Sequence, residues 1–179
     1  MRHILFTNER SYYEIAILIK GSSFNKTELY NHYLTPLIAK GISADKVIAF
    51  DLEYDGKNAS AKTAKAYLDK LLPCLQKLGI KFIYCADATY FKAITRQAKA
   101  DPHLGYVLPC NQLDYMQVVY GLNYSGLVYN PNQYPKLDLS INTLIAAYQG
   151  DYKELGLEVI NHEDYPESLQ QIEWFLNSL

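Results

Sequence analysis

Two short apolar runs, Val47-Ile48-Ala49-Phe50 and Lys81-Phe82-Ile83-Tyr84-Cys85-Ala86, flank a stretch in which Ala64, Leu68, Leu71, Leu72, Leu75 and Leu78 recur at helical spacing. This alternation constrains the fold more than any other feature. The runs are too short for helices, and apolar residues at successive positions suit strands covered on both faces, the habit of a parallel sheet. Ser60 stands where an N-cap is needed and Gly79 where a helix should stop. A strand, a capped amphipathic helix and a second strand in this order predict a parallel sheet with right-handed crossovers.

The remaining segments extend the pattern. Tyr13 to Ile19 is an apolar run that fits an early strand or a short helix. From Asn25, with Glu28 three residues on, Leu29, Tyr33, Leu37 and Lys40 keep helical spacing until Gly41, with a bend expected at Pro36. Asp87 is placed to cap a helix running through about Lys99. Gly105 to Cys110, Tyr115 to Leu122 and Leu127 to Tyr129 read as further β-like runs. Asp138 is expected to cap a helix carrying Leu139, Ile141, Leu144, Ile145 and Tyr148, with Gly150 after it. Leu157 to Ile160 suits a last strand, and Pro166 opens a closing helix with Leu169, Ile172, Phe175 and Leu176 inward. The expectation is one α/β domain over residues 1–179, three-layered α/β/α around a mainly parallel central sheet.

Composition narrows the function classes. No apolar run reaches the roughly 18 residues a membrane-spanning helix needs, and Met1–Phe6 gives way at once to Thr7-Asn8-Glu9-Arg10, unlike a signal peptide. A cytoplasmic protein without membrane partners is expected. Cys74, Cys85 and Cys110 lack Cys-x-x-Cys spacing, so buried thiols are expected rather than a disulfide framework or a zinc cluster. His3, His32, His103 and His162 are scattered, and the nucleophile-elbow, phosphate-loop and dinucleotide-turn motifs are absent. A formal net charge of −2 offers no global attraction to nucleic acid, so any DNA contact must come from a local patch. Seventeen tyrosines supply flat faces with polar tips, suited to packing and to base stacking alike.

Ligands of open parallel α/β sheets bind beyond the carboxyl ends of the strands, which selects three segments. Asp51 and Glu53, two residues apart after the Val47–Phe50 run, would face one side of an extended chain. They could hold Mg²⁺ in a metal-dependent nuclease; otherwise no cofactor is expected. Cys85 to Lys92 combines a strand end, the Asp87 cap and Lys92, where exposed N–H groups favour an anion. Asn123-Tyr124 and Tyr129-Asn130-Pro131 follow the later β-like runs, where Asn130 could read a base edge or simply begin a turn.

The succession Leu71-Leu72-Pro73, Ala86 to Lys92, Gly105-Tyr106-Val107-Leu108-Pro109-Cys110, Asn123-Tyr124 and Tyr129-Asn130-Pro131 resembles the region that precedes the 3′–5′ exonuclease domain in certain bacteriophage family A DNA polymerases. The likeness runs from about Asp45 to Ile172-Glu173-Trp174-Phe175-Leu176. It implies the N-terminal domain of a longer polymerase in an infected bacterial host, acting in DNA replication. Its partners would be DNA and the exonuclease and polymerase domains of the same protein. A noncatalytic DNA-contacting or protein-docking role is then expected. Tyr90, Asn123, Tyr124, Tyr129 and Asn130 would meet bases, Lys92, Arg96 and Lys99, along one helix, would meet phosphates, and Asp87 belongs to the same nucleic-acid-binding set.

The order of elements is also similar to the uracil-DNA glycosylase superfamily. That likeness matches Asp51–Tyr54 to the loop after the first core strand and Tyr129–Pro131 to the loop after the last. The usual first motif is absent, and Asn130-Pro131-Asn132 stands in place of a His-Pro-Ser motif. It implies a glycosylase-like fold, used for binding or, as the alternative, for base excision.

Overall fold

The computed structural model of the chain describes residues 1–152, and the chain divides into two compact units, Met1–Gln149 and Gly150–Leu179. The expected strand at Leu157–Ile160 and the helix from Pro166 lie outside the described residues. The first unit carries the strands β1 (His3–Leu5), β2 (Ile15–Lys20), β3 (Val47–Leu52), β4 (Phe82–Cys85), β5 (Val107–Pro109) and β6 (Gln117–Tyr120). They form one six-stranded sheet in the order β1-β3-β2-β4-β6-β5.

The ambiguous run Ile15–Ile19 is therefore a strand, and the central one. All five of its apolar side chains are buried, which a surface helix would not allow. β2 runs parallel to β3 and β4, β4 runs parallel to β6, and antiparallel β1 and β5 close the two edges. Parallel neighbours need long crossovers, and the helices supply them.

Six α-helical segments accompany the sheet: α1 (Lys26–Leu29), α2 (Thr35–Ala39), α3 (Ala61–Lys77), α4 (Ala88–Thr95), α5 (Gly126–Tyr129) and α6 (Tyr134–Gln149). One face of the sheet, with Ala16, Leu18, Ile48, Phe50, Ile83, Cys85 and Val118, packs against α3 and α4. The alternate residues face α1, α2 and α6: Tyr84 meets Tyr33 with ring centres 5.0 Å apart and bonds Ser140, and Phe82 meets Tyr148 at 5.4 Å. Helices thus cover both faces of a mostly parallel sheet.

Local chemistry explains most boundaries. Asn25 accepts the Glu28 N–H at 3.0 Å, Ser60 the Thr63 N–H at 3.1 Å, and Asp87 the Tyr90 N–H at 2.9 Å. Each offsets a backbone donor that the first helical turn leaves unpaired. Between α1 and α2 the chain widens into a π turn, Tyr30–Leu34, immediately before Pro36. Pro36 has no N–H to offer and its ring crowds the carbonyl four residues back, and the wider turn accommodates both.

Three expectations need correction. The helix after Asp87 ends at Thr95, so Lys92, Arg96 and Lys99 do not share one helix; Arg96 leaves it in the left-handed conformation with φ 58°. Leu127–Tyr129 lies in the helical turn α5 rather than a strand. Asp138 sits inside α6, which begins four residues earlier at Tyr134, beyond the Pro131–Gln133 3-10 turn.

Candidate functional site

The connections leaving β2 and β4 run toward opposite edges of the sheet, so a crevice opens beyond their carboxyl ends, the usual ligand position in such sheets. It has two lobes. The larger, of about 660 Å³, is lined by Lys20, Gly21, Ser22, Asp51, Glu53 and Tyr54 among others. The smaller, of about 340 Å³, is lined by Lys20, Tyr54, Asp87, Tyr120, Asn123 and Ser125 among others. Lys20 and Tyr54 border both, with the Lys20 ammonium 6.0 Å from the centre of the Tyr54 ring.

Tyrosine hydroxyls hold the crevice walls. Tyr67 donates to the Asp51 carbonyl, and Tyr90 donates to the Glu53 carbonyl at 2.5 Å. Tyr54 donates to Asp87 Oδ2 while Asp87 Oδ1 caps α4. The end of β3 is thereby tied to α3 and α4 at three points. Burial, followed by the nearby charges of Asp51 and Glu53, pushes the Tyr67 phenol up to about 12. Burial also raises the Asp87 carboxyl above its ordinary value, against the opposing pull of the Tyr90 and Thr89 N–H groups and of Lys20 and Lys92. A carboxyl of raised pKa in a cleft, beside an ammonium and a phenol, can exchange a proton or accept a hydrogen bond from a ligand.

The opposite wall joins the loops after β2 and β6. Asn123 Nδ2 donates to Ser23 Oγ at 3.0 Å, and Tyr124 donates to the Ser23 carbonyl at 2.8 Å. Beneath them Tyr33 donates to the Leu122 carbonyl at 2.7 Å and accepts the Tyr124 N–H at 2.9 Å. These bonds link positions about a hundred residues apart, so the crevice is a product of the whole sheet. The loops after the first and last parallel strands are therefore those beginning at Gly21 and Gly121. Asp51–Tyr54 instead follows β3, the second parallel strand in chain order, and Tyr129–Pro131 lies beyond the loop that begins at Gly121.

The structure brings Asp87 and Asn123 into one lobe. It removes two tyrosines from base stacking: Tyr90 is fully buried, and Tyr124 is buried with its ring stacked on His32 at 4.8 Å. Tyr129, 90% exposed, keeps a free face just beyond the Asn123 loop, and Val128 beside it is 79% exposed. Asn130 is exposed but uses its side-chain oxygen to cap the next turn, accepting the Asn132 N–H at 3.2 Å. Lys92 and Arg96 line a separate groove between α3 and α4, and Lys99 is exposed beyond the helix end.

Asp51 and Glu53 both line the larger lobe, but Asp51 is ion-paired with Arg2, Nη2 to Oδ2 at 2.5 Å, and its Oδ1 is buried without a hydrogen bond. Gly21 admits this pair, since a Cβ there would meet Asp51 Oδ1 at 3.1 Å. Among the described residues no three metal-ligating side chains cluster. Asp55 instead receives the Thr63 hydroxyl at 2.7 Å at the start of α3. Cys85 and Cys110 are buried free thiols, as expected, and Cys74 is half-buried. Sequence alone does not single out Lys20, Ser23 or Ser125. Lys20-Gly21-Ser22-Ser23 becomes visible as a strand end once Ile15–Ile19 is assigned as a strand.

No protein-family model and no curated protein matches this chain. Among the described residues no helix is long and apolar enough to cross a membrane.

Proposed function

We propose that this chain is a noncatalytic DNA-contacting domain of a bacteriophage family A DNA polymerase, taking an unstacked base or strand end into the crevice. The observation that carries this reading is the convergence of Lys20, Asp87 and Asn123 in one lobe, with Tyr129 exposed on the loop that continues from it. Lys20 meets a phosphate, the Asn123 amide N–H left over from its bond to Ser23 donates to a base acceptor, and Tyr129 stacks on a neighbouring base. Fluorescence anisotropy with single-stranded and duplex DNA tests it. Salt-sensitive binding that falls at least fivefold in Tyr129→Ala and Lys20→Gln supports it, and equal affinity in both variants removes it.

A second reading, a uracil-DNA glycosylase-like base-excision enzyme, is favoured by the bond between Asn123 and Ser23, which joins the loops after the first and last parallel strands. The four-stranded parallel run with its crevice at the carboxyl ends agrees with a glycosylase-like architecture. In this reading a flipped base enters the smaller lobe, and Asp87 is the group that would orient or activate water. Incubation with uracil-containing DNA followed by alkali decides it. Cleaved strands that become intact with Asp87→Asn support excision, and intact strands with the parent protein exclude it.

A further inference from the structure

A cavity of about 350 Å³ lies between α3 and α4 and shares no lining residue with the strand-end crevice. Lys65 from α3, Lys92 from α4 and Arg96 at the end of α4 surround it. Buried Leu68, Leu72 and Ile94 contribute its apolar lining, and Asn111 and Gln112 add amide side chains. No carboxylate lines it. The ion pairs among the described residues are Arg2–Asp51, Arg10–Asp45, His32–Glu28 and Lys46–Glu14, so none of the three cations of the cavity is ion-paired there, although Lys92 also feels the Asp87 charge. In a chain of net charge −2, three unpaired cations around one concavity make a local positive field.

The backbone supplies an independent observation. Arg96 is the one non-glycine residue with positive φ among the described residues. Where a helix ends on a left-handed residue it is usually glycine, and here the position holds an arginine instead. The far wall is held as well, because the Asn111 N–H donates to the Ile94 carbonyl at 2.8 Å.

We propose that this groove binds a phosphate-bearing ligand, with Lys65, Lys92 and Arg96 on the phosphate oxygens and the apolar lining against the attached sugar or base. Guanidinium and ammonium groups around one concavity suit phosphate through charge-assisted hydrogen bonds. Two sources share this chemistry: the backbone of a polynucleotide and a small phosphorylated molecule. The groove does not depend on the strand-end reading, and either can fail alone.

The test uses the full chain and a Lys65→Gln/Lys92→Gln/Arg96→Gln variant, with Lys65→Arg/Lys92→Arg as a charge-preserving control. Binding of a fluorescein-labelled single-stranded oligonucleotide is followed against salt, and melting is followed with and without millimolar pyrophosphate, with chloride matched for ionic strength. If the groove holds a polynucleotide, the triple variant binds at least tenfold more weakly. Its slope of log K against log salt then falls by about 2, at roughly 0.7 for each phosphate no longer neutralised. If the ligand is small, pyrophosphate raises the melting temperature of the parent and of the Arg control but not of the triple variant. Parent-like affinity and slope in the triple variant, with no pyrophosphate response in the parent, overturn the proposal. DNA binding that Tyr129→Ala weakens and the triple variant keeps, again without a pyrophosphate response, overturns the groove and leaves the crevice reading standing. Should the triple variant melt early, the exposed Lys65→Gln single variant replaces it, with a slope change of roughly 0.7 as the readout.

Discussion

Gly121 lies against the ring of Tyr84 so closely that a Cβ at position 121 would stand 2.1 Å from Tyr84 Cζ. The contact seats the loop after β6, because Tyr84 also donates to the Leu122 carbonyl at 3.2 Å and shares a hydrogen bond with Ser140. Gly121→Ala must displace either a fully buried ring or the backbone that carries Asn123. It is expected to destabilise by about 1–3 kcal/mol, the usual cost of overpacking. Tyr84→Phe keeps the ring and removes the hydroxyl, and is expected to cost about 1 kcal/mol. Urea denaturation measures both. A Gly121→Ala midpoint equal to the parent's would contradict the close approach.

Tyr67, which donates to the Asp51 carbonyl, contributes to alkaline stability through its burial. The Tyr67 phenol is raised from 10.0 to about 12 in the folded chain, so the folded state holds its proton where the unfolded state has released it. Stability from this group is complete below pH 10, declines as pH rises from 10 toward 12, and is gone above that. Tyr90, raised further by burial, extends the same trend. Tyr67→Phe should therefore lose the carbonyl bond at neutral pH yet show a shallower fall in melting temperature between pH 10 and 12. Parallel pH profiles for parent and variant would refute this.

How much of this was legible in sequence depends on whether the signal was local. The caps at Asn25, Ser60 and Asp87 and the strands expected at Val47–Phe50 and Lys81–Ala86 are local features, and all are present, the second strand as Phe82–Cys85. Ile15–Ile19 was undecidable because five consecutive apolar residues carry neither period. Lys20 and Ser23 were missed with it. The end of α4 was missed for a related reason: no glycine marks it, and Arg96 adopts the left-handed conformation itself. Tyr90, Tyr124 and Tyr129 are the same residue type near strand ends, and only tertiary packing decides that two are buried and one is exposed.

Asp87 offers the acid counterpart of Tyr67. Its folded carboxyl titrates above the ordinary 3.8 because burial disfavours the charge. The folded state therefore binds the proton more tightly than the unfolded state, and this group's contribution to stability falls as pH rises from 3.8 through the folded pKa. Asp87→Asn keeps a capping oxygen for the Tyr90 N–H and removes the buried charge. The stability of the variant relative to the parent should improve as pH rises above 3.8 and level off once the folded carboxyl has ionised. Urea midpoints measured from acid to neutral pH check it, and a difference constant across pH would show that burial does not raise this carboxyl.

Arg96 gives a prediction in which stability and binding move in opposite directions. Its φ of 58° costs an L-residue roughly 1–2 kcal/mol that glycine avoids, partly offset by the greater freedom glycine has when unfolded. Arg96→Gly is therefore expected to stabilise the chain by about 0.5–1 kcal/mol. It also removes one of three cations from the α3/α4 groove, so phosphate or oligonucleotide binding should weaken. A residue kept in that conformation for its packing would instead lose stability without losing binding. A variant with a higher melting temperature and unchanged affinity would thus separate the two roles and assign Arg96 to neither ligand.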